Sequence, residues 1–285
     1  MPVPQTTGHL DVEGATLHYQ IVGSGPPLLL IPPGYGTCVV YEPLAAALSF
    51  YFTVITYDRR GFNRSPIHEH ECLDTESIIH ENVDDAIFLV DHLAPEALTV
   101  FAPSAVGVIG IEMMYLRSKA IRTILLHEPI IMSLLPDASQ DRITHHIEDG
   151  IAQIHAWGYS KVKRELMPTI EGQKNRQRLR SSTVYPLLKQ LPANFNERFW
   201  VAELPQVIKY RLDLRRLRPF RDRLILLRGA DKSPELALGP ISALCRLLDL
   251  ELGVVTGGHI GFATDGQAFA DRIIKALGVS HRARL

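Results

Sequence analysis

Four short, mostly apolar runs punctuate the first 130 residues: LLLI at 28–31, FTVITYD at 52–58, ALTVFA at 97–102 and IRTILLH at 121–127. Their length and their β-branched and aromatic content predict strands buried on both faces. TLHYQIV at 16–22 instead alternates apolar with polar positions and stops at the turn-forming GSGPP. Between the runs, YEPLAAAL at 41–48 has helical character, and SIIHENVDDAIFLVDHL at 77–93 repeats apolar residues at helical spacing. Strands separated by single helices connect through right-handed crossovers. The pattern predicts an α/β fold around a mostly parallel, doubly wound sheet.

The rhythm breaks at residue 131. As far as 219 the chain is helical in pattern and rich in charge, with no buried strand, and the segments 141–159 and 196–217 each read as a helix. RLILLRG at 223–229 and ELGVVTG at 251–257 then restore the alternation, and 266–279 closes with a helix. The expected organisation is a core made of 1–130 and 220–285, interrupted by a helical cap at 131–219.

Composition narrows the function classes. Hydrophobic residues are 46% and charged residues 21%, and 30 Lys+Arg against 31 Asp+Glu leave a net charge of −1. That balance offers no basic field for nucleic acid or an anionic membrane surface. No apolar run is long enough to span a bilayer, and no charged-then-apolar leader opens the chain. Cys38, Cys72 and Cys245 are odd in number and scattered, which suggests a reducing compartment and not a disulfide framework. A cytoplasmic location is expected. The closing Ala283-Arg284-Leu285 offers a peroxisomal alternative, because it resembles the small–basic–leucine import address. The expected partner is a small hydrophobic molecule, with no nucleic acid and no membrane, and a homodimer is left open.

In open parallel sheets, binding sites form beyond the carboxyl ends of the strands. Four chemistry-bearing residues fall there: Ser104 after TVFA, Glu128 after TILLH, Asp231 after LILLRG and His259 after GVVTGG. A serine hydroxyl is a weak nucleophile until an imidazole takes its proton and a carboxylate holds that imidazole in the right tautomer. Ser104 and His259 supply the first two groups, and Glu128 or Asp231 the third. A developing oxyanion needs two backbone N–H groups. One is that of Ala105, the residue after the serine. The other comes from the loop Pro32-Pro33-Gly34-Tyr35-Gly36, where the prolines have no N–H and Gly34 is the first donor. The serine corner reads FAPSAVG at 101–107, with Ala102 and Val106 where a G-x-S-x-G elbow carries glycine, and Gly107 one place late. Ala102 meets the demand for a small neighbour, but Val106 is bulky for a corner where strand and helix nearly touch.

LLLIPPGYG, YDRRGFNRS, the Ser104 corner, LRGAD and GGHIGF together resemble the α/β-hydrolase superfamily over almost the whole chain. IPPGYG, HEP and GGHIGFATDGQAFA further resemble a subgroup that holds the fungal zearalenone lactonases and related fungal and bacterial hydrolases. The resemblance implies an α/β-hydrolase fold with an inserted helical cap. It also implies a nucleophile at Ser104, a base at His259, an acid at Glu128 and oxyanion donors at Gly34 and Ala105. Asp231 stays as the alternative acid, but it lies two residues past Gly229, where the family acid lies three past, at the place of Lys232.

Other residues receive plainer readings. Asp58 and Arg60 tie down the loop after their strand. HEHEC at 68–72 and THH at 144–146 have metal-binding letters without the spacing of a metal site, so no metal is expected. No G-x-G-x-x-G or P-loop occurs, and no cofactor is expected. Trp157, Tyr159 and Trp200 read as packing residues within the cap, and Tyr35 as a substrate contact. The expectation is a cofactor-free serine hydrolase of a hydrophobic ester or lactone. A lyase or cyclase on the same scaffold, or a ligand-binding receptor, stands as the alternative.

Overall fold

The computed structural model describes residues 5–68, 76–94, 96–193, 195 and 197–279, the side chains of 167–170 excepted. Cys72, most of HEHEC and the Ala283-Arg284-Leu285 terminus lie outside these residues. The strands are β1 (Gln5–Val12), β2 (Ala15–Gly23), β3 (Pro27–Leu30), β4 (Thr53–Tyr57), β5 (Leu98–Pro103), β6 (Ile121–His127), β7 (Leu224–Gly229) and β8 (Leu252–Val255). They form one sheet in the order β1-β2-β4-β3-β5-β6-β7-β8. Only β1 with β2 and β2 with β4 pair antiparallel, and all later pairs are parallel. The four predicted buried strands occupy the middle of this sheet, as their continuous apolar sequence requires. β1 was not anticipated, because an edge strand that is mostly exposed carries little apolar signal. Its Gly8 sits under the Tyr19 ring, which a Cβ there would meet at 2.4 Å.

Four of the helices flanking the sheet are α1 (Glu42–Leu48), α2 (Ile78–Leu93), α3 (Gly107–Leu116) and, after the inserted segment, α10 (Glu235–Leu248). The chain closes on α11 (Gly261–Thr264) and α12 (Gly266–Ala276). Between β6 and β7 runs the all-helical insertion: α4 (Asp137–Trp157), α5 (Tyr159–Glu171), α6 (Gln173–Arg180), α7 (Val184–Leu188), α8 (Leu204–Lys209) and α9 (Leu214–Leu217), with short 3₁₀ and π turns.

The single helix expected over 196–217 is broken into pieces. Pro205 has no N–H to donate back, and the turn before it widens to Phe199–Glu203 with the Leu204 N–H reaching the Phe199 carbonyl five residues earlier. Tyr210 then turns extended (φ −57°, ψ 131°), and Asp213 starts α9 by accepting from the N–H groups of Arg215 and Arg216. Trp157 also departs from expectation: it is 63% exposed at the end of α4, while Tyr159 and Trp200 are buried as read.

Candidate active site

The three strand-end residues meet through two hydrogen bonds. His259 Nε2 lies 2.9 Å from Ser104 Oγ, and His259 Nδ1 lies 2.9 Å from Glu128 Oε2. All three are at least nine-tenths buried. The other oxygen of Glu128 accepts from the Gly229 N–H at 2.8 Å and the Ser233 hydroxyl at 3.0 Å. With Nδ1–H donating to the carboxylate, Nε2 is left as an acceptor for the serine proton. Burial works against ionising Glu128. The His259 bond, the neighbouring His127 and the Gly229 N–H outweigh it and bring the pKa down to about 2, so the acid is charged at neutral pH. His127, fully buried, stacks its ring on His259 at 6.3 Å between centroids. Burial lowers its pKa to about 4, so it packs as a neutral ring.

Backbone strain accompanies this arrangement. Ser104 has φ +57° and Glu128 φ +47°, left-handed conformations that cost non-glycine residues on the order of 1–3 kcal/mol each. Ser104 is thus lifted out of the β5–α3 turn with its hydroxyl directed to His259. Val106 does not disturb it. The valine is buried, it lines a small pocket with Ile79, Asn82 and Val207, and the Ser104–His259 contact is made at 2.9 Å beside it. Close packing at the corner falls to other residues. A Cβ on Gly110 would meet the Ala102 methyl at 2.7 Å, and one on Gly107 would meet Pro129 at 2.5 Å. Glycine is therefore needed one and four places beyond the expected spot, and Ala102 fits because Gly110 faces it.

Asp231, the alternative acid, is turned elsewhere. Its carboxylate pairs with Lys174 at 2.6 Å and with Arg178 at 3.3 Å. Asp58 accepts from Thr37 and from the Cys38 N–H, and pairs with Arg64; Arg60 pairs with Asp85 and Glu81. Between these two lies Arg59, which sequence reasoning passed over. Fully buried, it donates to the carbonyls of Pro32 (2.8 Å) and Pro33 (3.1 Å) and pairs with Glu203 of the insertion at 2.7 Å. Arg59 thereby fixes the loop that presents Gly34 and joins it to the inserted helices. Gly34 lies under the Phe199 ring, 2.8 Å from where a Cβ would stand.

Ser104 and His259 open onto a small cavity that Gly34, Tyr35, Phe199 and Trp200 also line, with a volume of about 30 Å³. Tyr35, read from the sequence as a substrate contact, is one of the residues lining this cavity. Its hydroxyl donates to Oε1 of Glu171, a residue at the end of α5 that also lines the cavity. Burial raises the Glu171 pKa to about 7, against the opposing pull of the Tyr35 bond, Arg176 and His259. Its Oε2 has no hydrogen-bond partner among the described residues, and the Arg176 guanidinium stands 4.0 Å away. Nothing in the sequence marked Glu171, because a glutamate in a charged helix looks solvated. Among the described residues no group of three metal-ligating side chains converges, and His145 and His146 lie exposed on α4. Nor is any described helix long and apolar enough to cross a membrane.

No family model matches the chain. The uncharacterized hydrolase YraK of Bacillus subtilis is 29% identical over 273 residues, covering 93% of this chain and 94% of its own. A hydrolase from Pseudomonas aeruginosa superposes with a TM-score of 0.73 at 19% identity, over 96% of this chain and 98% of its own. The enol-lactonase from Burkholderia xenovorans gives a TM-score of 0.71 at 18% identity, over 95% of this chain and 100% of its own. The fold is that of the α/β-hydrolases. Within the α/β-hydrolase fold, Ser104 occupies the turn after the central strand β5, and the helical insertion lies between β6 and β7.

Proposed function

We propose that the protein is a cofactor-free serine hydrolase of a hydrophobic ester or lactone. The observation that carries this reading is the unbroken Ser104–His259–Glu128 hydrogen-bond chain at a strained turn, facing a small and largely apolar cavity. Ser104 Oγ attacks the carbonyl carbon while His259 Nε2 takes the hydroxyl proton. Glu128 holds Nδ1–H and stabilises the imidazolium that forms. The N–H groups of Gly34 and Ala105 receive the oxyanion. Ala105 lies in the first turn after the corner, where amides have no partner within the helix. His259 then returns the proton to the leaving oxygen, and an acyl group remains on Ser104. Water, deprotonated at the same Nε2, releases the acid and restores the serine. The resemblance to lactonases and the apolar rings of Phe199 and Trp200 support an apolar lactone or ester as substrate; the enol-lactonase is an example of lactone chemistry on this fold.

The test is product analysis by mass spectrometry across aryl esters and lactones, with Ser104→Ala beside the wild type and fluorophosphonate labelling in parallel. Hydrolysis lowered at least about 10³-fold in Ser104→Ala, with covalent label on Ser104, is the expected result. Full turnover by Ser104→Ala would exclude the mechanism. A folded but unlabelled Ser104, with a rearranged rather than hydrolysed product, would point to a lyase or cyclase.

A further inference from the structure

Two residues that line the cavity each carry a buried hydrogen-bonding atom without a hydrogen-bond partner among the described residues. Glu171, 3% exposed, accepts from the Tyr35 hydroxyl on Oε1, while Oε2 has no hydrogen-bond partner among the described residues. Trp200, 1% exposed and lining the same cavity, has its Nε1–H unpartnered as well. Native interiors rarely leave such groups unmatched, so each unmatched one calls for a reason.

The hydrogen-bond directions determine what these groups offer. Oε1 is occupied as an acceptor by Tyr35, and burial raises the carboxyl pKa to about 7, so about half of it keeps a proton at pH 7 and most of it does below. With Oε1 already accepting, the free Oε2 is the place for that proton, and in the protonated form Oε2–H is a donor. The indole N–H is a donor and nothing else. Both free groups therefore ask for an acceptor. A cation is a poor match, since the Arg176 guanidinium stands 4.0 Å from Oε2 and His259 faces the cavity from the sheet side. Phe199 and Phe262 make the surrounding surface apolar, so an acceptor placed there would be desolvated and strongly held.

We propose that Glu171, Tyr35 and Trp200 form a subsite that takes a neutral hydrogen-bond-accepting oxygen of the substrate, a ketone or a second ester carbonyl, apart from the carbonyl attacked by Ser104. The subsite rests on the hydrolase reading for its place in a reaction, but binding there does not depend on turnover. Glu171 is a specificity residue in this scheme: it touches the substrate away from the bond that breaks. Tyr35 acts through it, holding Oε1 so that Oε2 faces the ligand.

The experiment uses pairs of aliphatic esters identical but for one CH₂ replaced by C=O, with the ketone walked along the acyl and alcohol chains. In the wild type, one ketone position is expected to raise kcat/KM about ten- to hundredfold over its CH₂ twin. Glu171→Leu brings that ratio to about one, and Glu171→Gln, whose amide also donates, keeps most of it. Affinities for the same esters, read from tryptophan fluorescence of Ser104→Ala and of Ser104→Ala combined with Glu171→Leu, give the ratio without chemistry. Failure of the wild type to hydrolyse any ester, with the Glu171-dependent binding ratio intact, would count against the hydrolase reading and for the subsite. No favoured ketone position in binding, a ratio that survives Glu171→Leu, or preference for an ammonium-bearing ester would overturn the subsite.

Discussion

On the sheet side of the cavity the Glu128 carboxylate accepts three hydrogen bonds, whereas on the insertion side the Glu171 carboxylate accepts one and leaves an oxygen unmatched. Both side chains are almost wholly buried. Their pKa values nonetheless move in opposite directions, to about 2 and about 7. Burial disfavours the anion in both. The number of donors around the carboxylate decides which way the balance falls. Strand ends supply those donors because consecutive loops converge there: Gly229 from β7, Ser233 just beyond it, and His259 after β8. The inserted helices bring Glu171 in from a direction where, among the described residues, Tyr35 is the one hydrogen-bond donor to its carboxylate and the Arg176 guanidinium stays 4.0 Å away. The sheet side is built to hold a charge, and the insertion side to hold a proton.

The contrast is sharpest in turnover. Glu128→Gln should lower kcat about 10³- to 10⁴-fold in steady-state ester hydrolysis, since the amide cannot stabilise the imidazolium and favours the wrong tautomer. Asp231→Asn, which disturbs only a pairing with Lys174 and Arg178, should leave kcat within a few-fold. Equal losses in the two variants would erase the distinction between these carboxylates.

Next in size is the junction between the two regions. Arg59→Met takes from buried Glu203 its partner 2.7 Å away and leaves the Arg198 guanidinium, at 4.0 Å, as its remaining ion-pair neighbour among the described residues. Denaturant unfolding should show a loss of about 3–5 kcal/mol. A loss below about 1 kcal/mol would mean that the insertion holds Glu203 by other means.

The smallest effect is the pH response of Glu171. Its folded pKa of about 7 lies above that of a glutamate in an unfolded chain, so the folded protein keeps a proton that the unfolded chain releases. The stability it contributes is complete at low pH, falls as pH rises from about 4.5 to about 7, and levels off above that. Glu171→Gln removes this component. The melting temperature of the variant relative to the wild type should therefore climb between pH 5 and pH 8, by the equivalent of roughly 1–3 kcal/mol. A flat difference across that range would show that Glu171 is ionised in the fold.

Ser104, Glu128 and His259 were legible in the sequence because each follows a buried strand, and strands announce themselves by short apolar runs. Their order along the chain and the sheet rule then bring them together. The choice between Glu128 and Asp231 drew on spacing and resemblance, and the backbone reason is a left-handed Glu128 that swings its carboxylate back toward His259. Val106 looked like an obstacle because the elbow motif lists letters, whereas the steric demand concerns contacts. Here Ala102 against Gly110 and Gly107 against Pro129 meet that demand. Glu171, Trp157 and the break at Tyr210 were not legible. All three lie in helical stretches where charge and apolar residues mix, and tertiary contacts decide which face is covered. Arg59 was hidden by its neighbours: in YDRRGFNRS, Asp58 and Arg60 carry the recognisable pattern, and Arg59 takes its meaning from Pro32, Pro33 and Glu203 far along the chain.

The space of about 30 Å³ beside Ser104 has room for little more than a water or two. Any ester or lactone is far larger, so Phe199 and the end of α5, which line that space, have to give way before a substrate reaches Ser104. That makes the exchange of solvent for substrate a step that every turnover shares. Esters whose leaving groups differ widely in acidity should consequently converge on one kcat, and added viscogen should lower it for all of them alike.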